Sequence, residues 1–373
     1  MELNSEQQAI RDLVHEFAVE EIQPIAREAD ETEQFPEEIW DGLSDLDLTG
    51  LTVPEQYGGF DADPVTYSIV NEQLAYGMLA VATALSVHCL ATSCIAAFGS
   101  DEQKERWLPE MVAGRPVGAF ALSETSAGSN PAQMQTTAER EGDTYVINGD
   151  KQWITNGERS GVIILFAKTA PAEITQFVVP SDADGLSVGK KEDKLGLRAS
   201  DTTSLSFDDV RIPVENRLTD EGDGLSAALS ILTGGRIAIA SQAVGLAQSA
   251  LDQTIEYVTE REQFGSPLSD IQAVRHKIAD MHATTQTGRM LARDAAQKKK
   301  MESPETSIAA STAKYRASEG AMDVTNEAVQ LHGGYGYTTD FDVERLYRDA
   351  KITTIYEGTT QIQKTIIARE LLD

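Results

Sequence analysis

Apolar residues recur at helical spacing through the first third of the chain. Ile10, Leu13, Val14, Phe17 and Ala18 follow Ser5, which reads as the cap of a first helix. Phe35-Pro36 opens another helix, and Val65 to Leu85 gives a long apolar one. Ser100-Asp101-Glu102 starts a further helix through Trp107 and Met111, with acids in its first turn. Gly114-Arg115-Pro116 ends this pattern. From about 117 to 215 the period falls to two. Thr144 to Ile147, Trp153 to Thr155, Val162 to Ala167 and Gln176 to Val179 are short β-rich runs. Turn signals at Gly142-Asp143, Gly149-Asp150 and Asn156-Gly157 separate them, and no helix-sized stretch intervenes. After Pro213 the helical period returns over 225–257, 269–299 and 305–331, spaced like a bundle, and a shorter helix closes the chain. The pattern predicts an α+β multidomain protein: an N-terminal all-α domain over 1–116, a middle antiparallel β-barrel or sandwich over 117–222, and a C-terminal four-helix bundle over 223–373.

Composition narrows the functional classes. Against 31 basic residues stand 60 acidic ones, a formal net charge of −29, too negative for a nucleic-acid binder or a protein docked on anionic lipid. The acid is spread along the chain, as expected of a solvated surface in a high-salt cytoplasm. Cys89 and Cys94 match no metal spacing and read as buried thiols in a reducing compartment. The amino terminus has no signal-peptide core, and no apolar run is expected to reach membrane-spanning length. The expectation is a cytoplasmic protein without membrane or nucleic-acid partners.

Chemistry enters at Glu357, a lone acid in Ile355-Tyr356-Glu357-Gly358-Thr359-Thr360-Gln361. Its nearest charged neighbours in sequence are Lys351 and Lys364. A carboxylate in apolar surroundings binds its proton more tightly, which suits a general base. The same residue also fits a helix start, where Glu complements the helix dipole and Thr359 or Thr360 caps. Other enzyme classes drop out. The glycines of Gly333-Gly334-Tyr335-Gly336 follow a helix rather than a strand, so they are no dinucleotide fingerprint. The histidines make no metal spacing, and no GxSxG elbow is present.

Four segments then stand in register: Phe120-Ala121-Leu122-Ser123-Glu124-Thr125-Ser126-Ala127-Gly128-Ser129-Asn130; Lys151-Gln152-Trp153-Ile154-Thr155-Asn156; Arg261-Glu262-Gln263-Phe264-Gly265 with Gln272; and Gln330-Leu331-His332-Gly333-Gly334-Tyr335-Gly336-Tyr337, leading to Glu357. Together they resemble the acyl-CoA dehydrogenase family over essentially the whole chain. The resemblance implies FAD between the β domain and the C-terminal bundle, and an acyl-CoA thioester on the flavin face. It implies that Glu357 removes the α-proton while the β-hydrogen passes as hydride to flavin N(5), giving the trans-2-enoyl-CoA. The donors that polarise the thioester would be the Glu357 backbone N–H and a ribityl hydroxyl.

The resemblance extends to further residues. Trp153 matches the tryptophan packed on the flavin, Thr155 the hydroxyl near N(5), and Leu122 and Ser123 the contacts at the pyrimidine end. Ser129 matches a cofactor and CoA loop position, and Arg236 a substrate-side arginine; Gly358 is expected to let the substrate approach the backbone. Arg261, Phe264, Gln330, Gly333 and Gly334 match the clasp on a neighbouring subunit's FAD, which implies a homotetramer, and Gln272 matches a further cofactor contact. Thr359 and Gln361 match cofactor contacts beyond the base. Each also has an ordinary alternative. Trp153 fits a sheet-core aromatic, Arg261 fits pairing with Glu260 or Glu262, and the glycines fit a tight loop.

Departures from the family pattern fall at Asn130, Thr233 and Asp342, where relatives favour Asp, Asp and Pro. They bear on the CoA contacts rather than the redox chemistry. Some relatives carry the base on the first bundle helix, at the position of Gly235, which here has no side chain. Gly234-Gly235 is expected to bend that helix. The segment Arg236 to Gln242 resembles short-chain, butyryl-CoA dehydrogenase-like members, so a short straight acyl chain is expected, with an electron-transfer flavoprotein as acceptor. An oxygen-using acyl-CoA oxidase and a non-catalytic flavin-binding scaffold are the alternatives on this fold.

Overall fold

A computed structural model describes residues 3–372. The chain begins with α1 (Ser5–Phe17), a π turn (Ala18–Ile22), α2 (Gln23–Thr32) and α3 (Glu37–Asp45). The cap of α1 is Asn4 rather than Ser5: its side chain accepts from the Gln7 N–H while Gln7 reaches back to the Asn4 N–H. The long apolar stretch from Val65 is two helices, α4 (Pro64–Gly77) and α5 (Leu79–Phe98), broken at Met78, which is extended at φ −158°. A Cβ on Gly77 would meet Ile22 and the Ala18 carbonyl at 3.0–3.1 Å, so close packing against the π turn fixes the site of the break. The helix α6 (Asp101–Val112) starts where expected, capped by Ser100 with Gln103 completing the box.

Two helices correct the expectation about apolar runs. Over α5 an uninterrupted stretch of 20 residues has mean hydropathy 1.8, long and apolar enough to cross a bilayer. Its most apolar window is 83% buried within the fold, so it is apolar on every face because it is a core helix. The first bundle helix, α7 (Gly224–Glu260), is also long and apolar enough to cross a bilayer, and 56% of its most apolar stretch is buried.

The middle region is a seven-stranded sheet: β1 (Val117–Ala121), β2 (Thr137–Glu141), β3 (Thr144–Ile154), β4 (Ser160–Ala170), β5 (Glu173–Pro180), β6 (Leu186–Val188) and β7 (Thr203–Pro213). The pairs β2–β3, β3–β7, β6–β7 and β4–β5 are antiparallel, whereas β1 and the tip of β2 pair with β4 in parallel. The parallel β1–β4 pair arises because the β2–β3 hairpin stands between them as the crossover. Gly149-Asp150 is not a turn but part of a bulged, continuous β3. Gly149 has φ 143° and sits where a Cβ would come within 2.7 Å of the Thr136 backbone.

The bundle comprises α7, α8 (Gln272–Lys300), α9 (Thr306–His332) and the shorter α10 (Val343–Thr353) and α11 (Thr360–Leu372), with a small hairpin of β8 (Glu262–Gln263) and β9 (Ser266–Pro267) between α7 and α8. Gly234-Gly235 does not interrupt α7, which runs 37 residues as one helix. One apolar core joins the N-terminal helices to α7, α8 and α9 through Val70, Leu74, Leu246 and Ala313, and a second core lies inside the sheet.

Candidate active site

Glu357 lies outside α11. Thr359 caps that helix, its hydroxyl accepting from the Ile362 N–H at 3.3 Å, so the reading of Glu357 as a first-turn acid is set aside. Glu357 and Gly358 both adopt left-handed backbone, at φ 51° and 91°. For a glutamate this conformation costs about 1–2 kcal/mol, which the surroundings must offset. Gln363 supplies part of that support, donating Nε2 to the carbonyls of Glu357 (3.2 Å) and Gly358 (2.9 Å). From α9, Lys314 donates Nζ to the same Gly358 carbonyl at 2.8 Å.

Among the described residues the carboxylate has no hydrogen-bond partner at Oε2, which is buried although the residue as a whole is partly exposed. Burial pushes its pKa above the ordinary carboxylate range; the charges of Lys314 and Arg236 pull the other way without cancelling the rise. Arg236 is only 8% exposed on α7, and Lys314 is fully buried. Neither charge is close to Glu357 in sequence, so the apolar local run concealed both. Gly235 does more than remove a rival acid. A Cβ there would stand 3.1 Å from Oε2 of Glu357 and 3.5 Å from Leu90 Cδ2, so the missing side chain lets the carboxylate pack closely against α7. Beside it, the Tyr356 hydroxyl reaches Gln242 Oε1 (3.2 Å) and the Thr83 hydroxyl (3.4 Å), a buried network not foreseen from sequence.

The second group of expected residues surrounds the end of β3. Trp153 is 53% exposed and left-handed at φ 60°, a conformation rare for a bulky residue and an argument against an ordinary sheet-core aromatic. The loop carrying Leu122 and Ser123 is fastened to this strand: the Gln152 N–H donates to the Ser123 carbonyl (2.9 Å), and Lys151 Nζ to the Leu122 carbonyl (3.3 Å). Thr155 begins the following turn, where Asn156 donates Nδ2 to the carbonyls of Ala84 (3.0 Å) and Gly118 (3.1 Å). Thr83 and Ala84 are neighbours on α5, so one turn of that helix contacts both Tyr356, next to Glu357, and Asn156, next to Thr155. Ser129 is exposed on the loop beyond.

The third group is at the far end of the bundle. Arg261, Gly333 and Gly334 line a groove of about 420 Å³ with Tyr257, His332 and Tyr335. Arg261 lies over the Tyr335 ring at 5.7 Å and makes no salt bridge with Glu260 or Glu262, and a Cβ on either glycine would meet nothing within 4 Å. Phe264 is 97% exposed at φ 58°. Gln272, Gln330 and Gln361 are exposed at the ends of α8, α9 and α11. A larger cleft of about 820 Å³ lies away from all three groups; Glu72 there binds Arg289 and Arg293, both at 2.8 Å.

These observations define a class: a helical–β–helical protein with a strained, buried carboxylate and a separate exposed aromatic face. Acyl-CoA dehydrogenase domains match along the chain, the N-terminal domain over 4–115, the middle domain over 119–210 and the C-terminal domain over 222–372. The chain belongs to the acyl-CoA dehydrogenase family and is an oxidoreductase that dehydrogenates acyl-CoA thioesters. It is 42% identical to the short-chain specific acyl-CoA dehydrogenase of Clostridium acetobutylicum, covering 99% of this chain and 98% of that protein. It is 40% identical to an acryloyl-CoA reductase (NADH) of Anaerotignum propionicum, covering 99% and 95%. The butyryl-CoA dehydrogenase structure from Megasphaera elsdenii superimposes with a TM-score of 0.97 at 40% identity, covering all of both chains.

Proposed function

We propose that the substrate is a short, straight-chain acyl-CoA and that Glu357 is the base that removes its α-proton. The observation that carries this reading is the buried Oε2 of Glu357, unpartnered among the described residues and packed closely against Gly235. A base needs a free lone pair facing the substrate and a proton affinity raised towards the working pH, and burial supplies the second. The Glu357 N–H polarises the thioester carbonyl, stabilising the enolate-like charge as the proton leaves. Gly358 lets the substrate lie against the backbone.

FAD suits the remaining residues. Trp153 offers a half-exposed aromatic face in a strained backbone, and Arg261 offers a cation with no salt bridge among the described residues, beside two glycines that leave room for a pyrophosphate. When bound, FAD supplies the hydride acceptor. Trp153, Thr155, Leu122 and Ser123 hold its ring, with Ser129, Thr359 and Gln361 at its edges. Arg261, Phe264, Gln330, Gly333 and Gly334 clasp the cofactor of a neighbouring subunit in a homotetramer, and Gln272 makes a further cofactor contact. Arg236 sets the charge on the substrate side.

Electrons leave to an electron-transfer flavoprotein. The 40% identity to an acryloyl-CoA reductase favours a second reading, in which the same site runs towards reduction with NADH. The free, buried thiols of Cys89 and Cys94 and the net charge of −29 support a reducing, high-salt cytoplasm.

The test is anaerobic addition of butyryl-CoA to the yellow protein purified in high salt. Bleaching that Glu357→Gln abolishes supports the reading, and a colourless protein unable to take up FAD defeats it. Equal kcat/KM for C4 and C16 thioesters defeats the short-chain assignment. Rapid NADH-dependent reduction of acryloyl-CoA selects the second direction.

A further inference from the structure

Lys314 is a fully buried lysine whose amino group makes no salt bridge among the described residues. Its one hydrogen bond, at 2.8 Å, goes to the carbonyl of Gly358, the residue that follows Glu357. A buried ammonium with no paired carboxylate is costly, and structures that need only a backbone strut use a neutral donor. Gln363 is such a donor and already holds this carbonyl. The lysine therefore contributes something the glutamine does not, and the difference between them is charge.

The charges around Lys314 are few. Glu357 faces it from the turn before α11, Arg236 from α7, and Glu319 from its own helix, where that carboxylate also accepts from the Thr360 hydroxyl at 3.0 Å. Glu357 in turn faces Lys314 and Arg236, with the buried hydroxyl of Tyr67 from α4 nearby. Burial lowers the lysine's pKa to about 7, and Glu357 is the largest influence keeping it protonated. The two groups thus favour each other's charged forms.

We infer that Lys314 is a positioning residue for the base: its ammonium fixes the left-handed turn that aims the Glu357 carboxylate, and its charge keeps that carboxylate ionised before the α-proton is taken. This rests on Glu357 being the base. Gln363 shares the support of the turn, so a variant that keeps the charge and one that removes it separate geometry from charge.

The variant is Lys314→Met, similar in length and uncharged. The acid limb of the pH profile of kcat/KM moves up by about one unit, and kcat falls about tenfold. In the cofactor-free protein the infrared band of the protonated Glu357 carboxyl, identified by its loss in Glu357→Gln, persists to correspondingly higher pH. Lys314→Arg keeps the charge and leaves the limb in place while kcat drops from the changed fit. An unmoved limb and band in Lys314→Met overturn the inference, as does a displaced limb in Lys314→Arg, which also decides the matter should the methionine variant not fold. Wild-type turnover in Glu357→Gln would instead show that the underlying reading of the base is wrong.

Discussion

Two glutamates, one in the β domain and one in the turn before α11, each lie near a buried lysine and are treated in opposite ways. Glu124 in the β domain accepts from Lys151 (2.8 Å), the Thr136 hydroxyl (2.6 Å) and the N–H groups of Thr136 (3.0 Å) and Gln135 (2.5 Å). Burial pushes its pKa up, but the Lys151 charge and these hydrogen bonds outweigh it and leave the carboxyl below its ordinary range. Glu357 also lies near a lysine, yet that lysine bonds to a backbone carbonyl, and Oε2 has no partner among the described residues. Its pKa ends up raised. A carboxylate whose lone pairs are all used is a fastening; one with a lone pair in reserve can accept a proton from a substrate. Glu124 and Lys151 fasten the Leu122–Ser123 loop to the strand bearing Trp153, and Glu357 keeps a lone pair for the role proposed for it.

The contrast is broken most severely by removing each acid's function. Glu357→Gln is expected to lower kcat/KM by about 10⁴-fold with little change in melting temperature; stopped-flow bleaching and calorimetry on the same preparation measure both. Lys151→Met does the reverse. It strands a buried carboxylate and costs about 3–5 kcal/mol of stability, read by denaturant unfolding, and adding Glu124→Gln recovers much of the loss.

Gly235→Ala is subtler. The added methyl stands 3.1 Å from Oε2, so the carboxylate must shift, and kcat is expected to fall about tenfold. The helix itself gains about 0.5–1 kcal/mol from losing a glycine. Activity down with stability up separates crowding of the acid from general damage, and equal activity would show that the space is not needed.

The smallest effect lies in the pH dependence, where the signs differ. In its proposed role as base Glu357 acts only as carboxylate, and its proton is held more tightly than usual. Activity is therefore present above its raised pKa and lost as the pH falls through it. The contribution of Glu124 to folding is present above the unfolded-state carboxylate pKa and lost only as the pH falls through its depressed folded value. On acidification, turnover should fade while the fold remains intact. Parallel acid titrations of kcat/KM and of tryptophan fluorescence test this, and coincident transitions would refute it.

Much of the architecture was legible because apolar periodicity is a local property. The three long bundle helices, the switch to period two near 117 and the Ser100 cap follow from residues a few positions apart. The misjudged points depend on distant contacts. The break at Met78 reflects packing on the π turn, the bulge at Gly149 reflects Thr136, and the parallel β1–β4 pair needs a hairpin as its crossover. A core helix such as α5 is apolar on all faces whether lipid or protein surrounds it, so its surroundings are not written in its own residues.

The sequence by itself determined the order of the three regions, the family, and the acid that stands in an otherwise neutral run. Chain-local signals suffice for these, because propensity and motif spacing act over short distances. Only the tertiary structure decided how that acid is held. The two cations that face it come from Arg236 and Lys314, on α7 and α9, and the missing side chain of Gly235 lets it pack closely against α7. Electrostatic and steric effects act through space, so residues far apart along the chain set the proton affinity of Glu357 and the direction in which it points.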